Sequence, residues 1–415
     1  MNNLLIAQSG GPTVAINATL VGIFQAASKS MKVDRIYGAR NGIQGVLEEN
    51  LINLEEVIKE DKDLELLCQT PAAALGSCRL KLDHHQDKEE HYLRLIKILR
   101  KYQIRYFIYI GGNDSMDTVA KLTDYCKQKN IKDIHFIGAP KTIDNDLVEI
   151  DHCPGFGSAA KYIATTCTEL ERDAKVYTKD SVLIIEIMGR NAGWLTAASA
   201  LSRLNGAQGP DFIYLCERAF DAEQFLRDVK DRLKEKTPVI VAVSEGIKDE
   251  SGNYISEQVQ SGSVDAFGHK YIAGAGVVLE KLVRDRIGCK VRSVELNVMQ
   301  RSASHIASAT DINESRRLGE KALECAINEI SGQMVSLIRK KDVEYEIELL
   351  SVPIEKVANM EKKVPLSYIN EGGNDVTEEM IAYLKPLIQG EMKIKYENGI
   401  PIHFILEQKV QEDIA

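Results

Sequence analysis

The chain has 415 residues, with 52 Lys and Arg against 61 Asp and Glu, for a formal net charge of −9. Hydrophobic residues make up 44% and charged residues 27%, the balance of a globular protein long enough for two or three domains. The acidic excess argues against a nucleic-acid binder, and no apolar run approaches the ~20 residues of a membrane span.

The chain starts MNNLLIAQSGG, without the basic region and long apolar stretch of a secretory signal. The eight cysteines are scattered with no CxxC pair, so reduced thiols of a cytoplasmic protein are expected. One rhythm then dominates. Short apolar runs end in glycine-rich or polar turns, and helical patterns follow. The runs are Leu4–Ala7, Tyr106–Ile110, His135–Ile137, Val182–Ile187, Phe212–Leu215 and Val239–Val243. They are continuous rather than alternating, as in parallel strands buried on both faces.

The first run leads into Gln8, Ser9, Gly10, Gly11, Pro12 and Thr13 before a helical pattern, a turn that lets backbone N–H groups approach a phosphate. Residues 87–103 predict a helix with Leu93, Ile96 and Leu99 on one face. His84, His85 and His91 precede or open it without ligand spacing and read as a solvated face. The run Tyr106–Ile110 ends in Gly111, Gly112, Asn113, Asp114 and Ser115. A glycine turn there opens a helix over 115–130, which Asp114 or Ser115 can cap, and the carboxylate and amide at its tip suit a phosphate with a metal ion.

The run at 135–137 leads into Pro140, Lys141, Thr142, Ile143, Asp144, Asn145 and Asp146. Two carboxylates two residues apart can divide the work of a general base and a metal ligand or tuning partner, and the lysine can neutralise phosphate charge. The run at 182–187 ends in Met188, Gly189 and Arg190, and that at 239–243 in Ser244, Glu245 and Gly246. Helices are expected over 191–204, 221–236 and 271–287, and a long polar loop over 247–270. Arg292 and Arg301 flank a strand-like stretch and can grip a dianionic phosphate. After about residue 333 the rhythm weakens. VEYEIELL (343–350) reads as an edge strand and TEEMIAYLKPLI (377–388) as a late helix. A second GGND at 372–375 reads as a turn capping that helix through Asp375 or Thr377.

Ligands in parallel α/β sheets bind beyond the carboxyl ends of the strands. Five polar, glycine-bearing strand ends therefore describe one site for phosphorylated substrates. The fold expected is α/β, with two Rossmann-like domains of mainly parallel sheets between helices and a C-terminal extension.

GGPT, GGNDS, PKTIDND, MGR, SEG and a late QR, in that order, resemble the phosphofructokinases, as does LGSCR, ending in Arg79. The resemblance covers roughly residues 1–330. It implies a phosphoryl-donor domain of 1–140 with 266–310, and a sugar-phosphate domain of 141–265 with 311–415. By this resemblance Asp144 matches the general base that takes the proton from the 1-hydroxyl of fructose 6-phosphate, and Asp146 its companion. Thr142, Ile143, Met188, Gly189, Arg190 and Glu245 match positions that hold the sugar phosphate. Arg301 matches a ligand of the 6-phosphate, and Arg292 another supplied to a neighbouring subunit, so a dimer or tetramer is implied. Gly11 and Arg79 match donor contacts. Asn113 stands at the metal-ligand position for Mg²⁺.

Asp114 and Lys141 stand where ATP-dependent members usually have glycine, and match the diphosphate-dependent branch. A carboxylate at 114 repels the α-phosphate of ATP and fills its space, while Lys141 adds charge that diphosphate can use. The expected function is transfer of a phosphoryl group from diphosphate to fructose 6-phosphate, with Mg²⁺ as cofactor. The alternatives are an ATP-dependent phosphofructokinase and a catalytically silent regulatory subunit. The first would need ATP to fit beside Asp114, and the second would be expected to have lost the base or donor residues.

Overall fold

A strand buried on both faces cannot return through a tight hairpin in parallel register and needs a helical crossover. The computed structural model, which describes residues 1–258 and 274–407, is built on that rule. The strands of its two main sheets are β1 (Asn3–Gln8), β2 (Ile36–Ala39), β3 (Leu51–Asn53), β4 (Ile104–Gly111), β5 (His135–Pro140), β6 (Ser181–Ile187), β7 (Phe212–Tyr214), β8 (Val239–Ser244), β9 (Lys290–Glu295), β10 (Gln333–Lys341) and β11 (Glu346–Pro353). They form one sheet of order β11-β10-β5-β4-β1-β2-β3 and a second of order β7-β8-β6-β9. The fold is α/β with two Rossmann-like units. Pairing is parallel throughout the second sheet, and antiparallel in the first only where β3 and β11 close its edges.

Register aligns the business ends. Gln8 lies opposite Ile110 and Gly111 opposite Pro140, so β1, β4 and β5 finish level. Ile187 lies opposite Ser244, so β6 and β8 do too. The turns that follow converge where the two sheets face each other.

The partition of the chain differs from the expected one in two places. β9 pairs with β6 rather than joining the first sheet. The helix Ala275–Arg286 buries Val278, Leu279 and Val283 against Val182, Ile184 and Val241 of the second sheet, so the strand after it is delivered beside β6. Conversely, β10 extends the first sheet beyond β5, burying Met334, Val335 and Leu337 in that core. Left unpaired, β5 would be an exposed apolar edge. The helix Ala309–Ile327 packs on the helix Ile16–Ser28 of the first unit so closely that a Cβ on Gly22 would lie 2.0 Å from the Arg316 carbonyl oxygen, and one on Gly319 2.2 Å from that of Thr19. The later part of the extension, through Val364, Ile369, Met380, Leu384 and Leu387, packs on the core of the second unit, and Tyr345 touches both cores.

Local differences follow from tertiary packing. The helix Glu89–Lys101 buries Tyr92, Leu95, Ile96, Ile98 and Leu99, and Leu93 points to solvent. The stretch 191–204 is one α-turn, Trp194–Ala197, followed by a 3₁₀ segment, Ala198–Asn205. Thr377 takes the N-cap position of the helix Glu378–Leu384 without a side-chain cap bond, while Asp375 forms a two-bond pair with Arg203. Residues 259–273, which hold the second half of the expected polar loop and the first residues of the helix expected over 271–287, lie outside the described residues. All eight cysteines are free thiols. Among the described residues no helix is long and apolar enough to cross a membrane.

Candidate active site

The cleft between the two sheets has a volume of ≈ 680 Å³. It is lined by Gly11, Arg79, Asn113, Asp114, Lys141, Thr142, Ile143, Asp144, Asp146, Met188, Arg190, Glu245 and Arg301, which are drawn from every motif singled out in the sequence. Gly189 lies just behind this lining, its N–H donating to Glu245 Oε1 at 3.2 Å. Arg292 does not reach the cleft. It is exposed on β9, beside a shallow hollow that includes Tyr177 and Lys290.

Lys141 is fully buried, and its Nζ donates to the carbonyl of Gly11 at 2.6 Å. Burial pulls its pKa down to about 8, against the opposing pull of the Asp144 and Asp146 carboxylates. Gly10 has φ +80°, and a Cβ there would sit 3.1 Å from the lysine nitrogen, so the turn after β1 needs glycine both for its backbone and for this approach. Arg79 follows a segment pinned to the same turn. Ser77 Oγ donates to Gly10 O at 2.7 Å, and Ser9 Oγ donates to Cys78 O at 3.2 Å.

The acidic loop is shaped by the residue between its aspartates. Asn145 is buried with φ +55°, a left-handed conformation that asparagine tolerates. Its Oδ1 accepts from Cys153 N at 2.9 Å, and its Nδ2 donates to the Tyr383 hydroxyl at 3.0 Å. With Asn145 anchored inward, Asp144 and Asp146 both line the cleft. Burial raises the pKa of both carboxyls. For Asp144 the charge of Glu245 adds to this, and for Asp146 the charge of Asp144 does. Glu245 is itself pushed up to about 7 by burial. A carboxylate held near neutral pKa is suited to taking a proton from a hydroxyl.

The helix Asn113–Gln128 starts from Gly112, so Asn113 and Asp114 lie in its first turn rather than capping it through their side chains. The Asn113 amide is engaged at both ends. Nδ2 donates to Met360 O at 2.8 Å, and Oδ1 accepts from Asn359 N at 2.9 Å. This argues against the metal-ligand role expected for Asn113, since its oxygen faces the backbone of the extension. Asp114 is exposed in the cleft, 3.7 Å from Lys81 Nζ.

The extension was the part of the site that sequence reasoning missed. Asn359, Met360 and Glu361 line the cleft, and Asn191 Nδ2 donates to Glu361 Oε1 at 2.9 Å across it. Lys362 turns the other way. Its Nζ donates to Asp151 O at 2.8 Å, Ile150 O at 3.0 Å and Asn145 Oδ1 at 3.3 Å, and its N–H donates to Asp146 O at 2.7 Å. No spacing in the sequence links EKK at 361–363 to the acidic loop; the contact exists only because β10 and β11 return the chain beside β5.

The cleft thus joins four cations (Arg79, Lys141, Arg190 and Arg301) to acids from both sheets, an arrangement suited to two phosphate-bearing ligands and one proton acceptor. The phosphofructokinase family model matches residues 3–326. The pyrophosphate–fructose 6-phosphate 1-phosphotransferase of Xanthomonas campestris is 40% identical over 409 residues, covering 98% of this chain and 96% of its own. The protein of the same name from Methylococcus capsulatus is 37% identical over 407 residues, covering 97% and 96%. A crystal structure of a pyrophosphate-dependent phosphofructokinase from Nitrosospira multiformis superposes with a TM-score of 0.88 at 35% identity, covering 97% of this chain and 96% of that one.

Proposed function

The chain belongs to the phosphofructokinase family, and from that premise we propose that it is a diphosphate-dependent enzyme that phosphorylates the 1-hydroxyl of fructose 6-phosphate. The products are fructose 1,6-bisphosphate and phosphate. The observation that carries the donor assignment is the presence of Asp114 and buried Lys141 in the same cleft as Asp144. A carboxylate at the donor end disfavours a further phosphate there, and a cation held in low dielectric serves a compact donor.

In this reading the first unit holds diphosphate and the second holds the sugar. Diphosphate lies between the turn at Gly11, Lys141 and Arg79. Thr142, Ile143, Met188, Gly189, Arg190 and Glu245 orient the sugar, and Arg301 takes its 6-phosphate. Asp144 accepts the proton of the 1-hydroxyl as that oxygen bonds to the nearer phosphorus and the bridging P–O bond of diphosphate breaks. Lys141 and Arg79 stabilise charge on the transferring group and the departing phosphate. Asp146 is the companion carboxylate, its own pKa raised by burial and by the charge of Asp144. The same cations hold the phosphoryl group on either side of the transfer and Asp144 can return its proton, so the same residues serve the reverse reaction.

A divalent cation fits this donor set. Burial raises the pKa of both half-buried carboxyls, the charge of Asp144 adds to the rise at Asp146, and Asp114 faces the same cleft, an excess of negative charge that a hard cation relieves. Asp114 and Asp146 would hold it, and Mg²⁺ is the ion we assign. When bound, it neutralises charge on the diphosphate oxygens.

Exposed Arg292 on the edge strand β9 is assigned to the cleft of a neighbouring subunit, which makes the enzyme a homo-oligomer of at least two chains. The free thiols agree with a cytoplasmic location.

The test is the initial rate with fructose 6-phosphate and Mg²⁺, with diphosphate or ATP at equal concentration. Fast turnover with diphosphate and little with ATP supports the assignment. Preference for ATP overturns the donor assignment, and inactivity of folded protein with both donors overturns the reaction.

A further inference from the structure

His84, His85 and Asp124 each offer one ligand atom, and these three atoms lie within 4.8 Å of one another. Among the described residues this is the one group of three or more His, Cys, Asp or Glu side chains so placed. The sequence conceals it, because the carboxylate comes from the helix Asn113–Gln128 and the imidazoles from the segment after Arg79.

The cluster is partly preorganised. His85 Nε2 lies 3.0 Å from Asp124 Oδ2, close to the separation of neighbouring ligands around an ion with bonds of about 2.0–2.2 Å. His85 is buried, its ring set edge-on to Tyr92 at 5.8 Å and tilted against Tyr125 at 5.6 Å. Gln128 Nε2 donates to Asp124 Oδ2 at 2.8 Å and steadies the carboxylate. The His84 ring lies 4.5 Å from that of His85 and is exposed, so it can turn to close the remaining gap and leaves room for water ligands.

We propose that His84, His85 and Asp124 form a second cation site, separate from the phosphoryl-transfer cleft, for a zinc-class divalent transition ion. Two imidazole nitrogens and one carboxylate oxygen suit Zn²⁺, Co²⁺ or Ni²⁺ and not Mg²⁺, which prefers oxygen ligands and retains its water. The site has a structural consequence. It joins the segment that carries Arg79 to the helix whose first turn carries Asp114. Two polar contacts already bridge these elements, Lys121 Nζ to Leu82 O at 2.9 Å and Lys81 Nζ to Asp114 Oδ1 at 3.7 Å. A bound ion adds a stronger cross-link between the two walls of the donor end and stabilises the folded chain by mass action.

The experiment is calorimetric titration of the substrate-free protein with Zn²⁺ in excess Mg²⁺, followed by thermal unfolding with and without Zn²⁺. The expected result is saturable binding of one ion per chain and a raised unfolding temperature. His84→Ala, which removes an exposed ring whose internal hydrogen bond is a 3.4 Å acceptance from Gln86 N, is expected to weaken binding by about tenfold or more and abolish the thermal shift. Its zinc-free unfolding temperature and its turnover with diphosphate are expected to stay at the parent values. With Co²⁺ as the probe, the parent is expected to gain visible absorption that Asp124→Ala lacks. Absence of saturable Zn²⁺ binding overturns the proposal. So does binding that survives both substitutions, which would place the ion elsewhere, such as on the cysteine thiols.

Discussion

The ammonium of Lys141 donates to the carbonyl of Gly11 at 2.6 Å, across 130 positions of sequence. The contact fixes a buried charge where the turns after β1 and β5 meet, which is where the reading above places diphosphate. The lysine is held by one backbone oxygen and by the field of Asp144 and Asp146, so its charge is sensitive to the proton concentration around it.

The pH profile should show this. Burial lowers the Lys141 pKa to about 8, so the free enzyme loses this positive charge as pH rises through that value. We expect kcat/KM for diphosphate to fall above pH 8 and the fall to disappear in Lys141→Met, which should start from a much lower value. Stability should not fall with it. The folded-state pKa lies below that of the unfolded chain, so between the two the unfolded state binds more protons, and this group's contribution to stability rises with pH. Activity and thermal unfolding measured across pH 7–10 in the same buffers separate the two effects.

Asp144→Ala should lower kcat by roughly 10²–10⁴-fold with modest change in either KM, the scale of a lost general base. Steady-state kinetics with both substrates varied checks this. Retention of half the parent rate would remove Asp144 from the role.

Lys362 is predicted to act by positioning the acidic loop. Its Nζ has three acceptors within 3.3 Å, all on residues 145–151, and its N–H donates to Asp146 O at 2.7 Å. Lys362→Met should reduce kcat by about 10–100-fold, because a displacement near 1 Å at the reacting groups has that scale, while both KM values stay within a few-fold. A matched loss of folded protein by thermal unfolding, with normal kcat per folded chain, would show the lysine to be structural only.

The strand ends and their motifs were legible because their signals are local. An apolar run followed by glycine and a charged tip states both the strand and the side of the sheet on which its ligand binds. Eleven of the site residues named from such strand ends line one cleft, together with Arg79 and Arg301. The extension was illegible for the opposite reason. Asn359, Glu361 and Lys362 act through contacts with Asn113, Asn191 and Asn145, and nothing near them in sequence records those partners. Asn113 shows the same limit from the other side. Its place in GGND suggests a metal ligand, yet its amide is taken by the backbone of Asn359 and Met360, just past a strand pair that the sequence rhythm scarcely announces. The partition of units was misplaced because β9 and β10 are each delivered by the helix before them, and which sheet that helix packs on is a tertiary fact.

The crossing of the helices Ile16–Ser28 and Ala309–Ile327 gives a stability prediction. A Cβ on Gly22 would lie 2.0 Å from Arg316 O, a backbone atom that cannot swing aside. Gly22→Ala should therefore destabilise the protein by about 1–3 kcal/mol through overpacking, despite the better helix propensity of alanine. Urea unfolding measures it, and a neutral or stabilising result would mean that the helices separate freely.

The choice of donor by Asp114 and Lys141 is read by the ratio of kcat/KM for diphosphate to that for ATP. It should be measured with saturating fructose 6-phosphate in the parent, Asp114→Gly and the Asp114→Gly/Lys141→Gly double variant. The parent ratio is expected to lie far above one, to shrink in Asp114→Gly as ATP gains access, and to fall further in the double variant as diphosphate loses its cation. A parent ratio below one, or a ratio that neither substitution moves, would contradict that choice of donor.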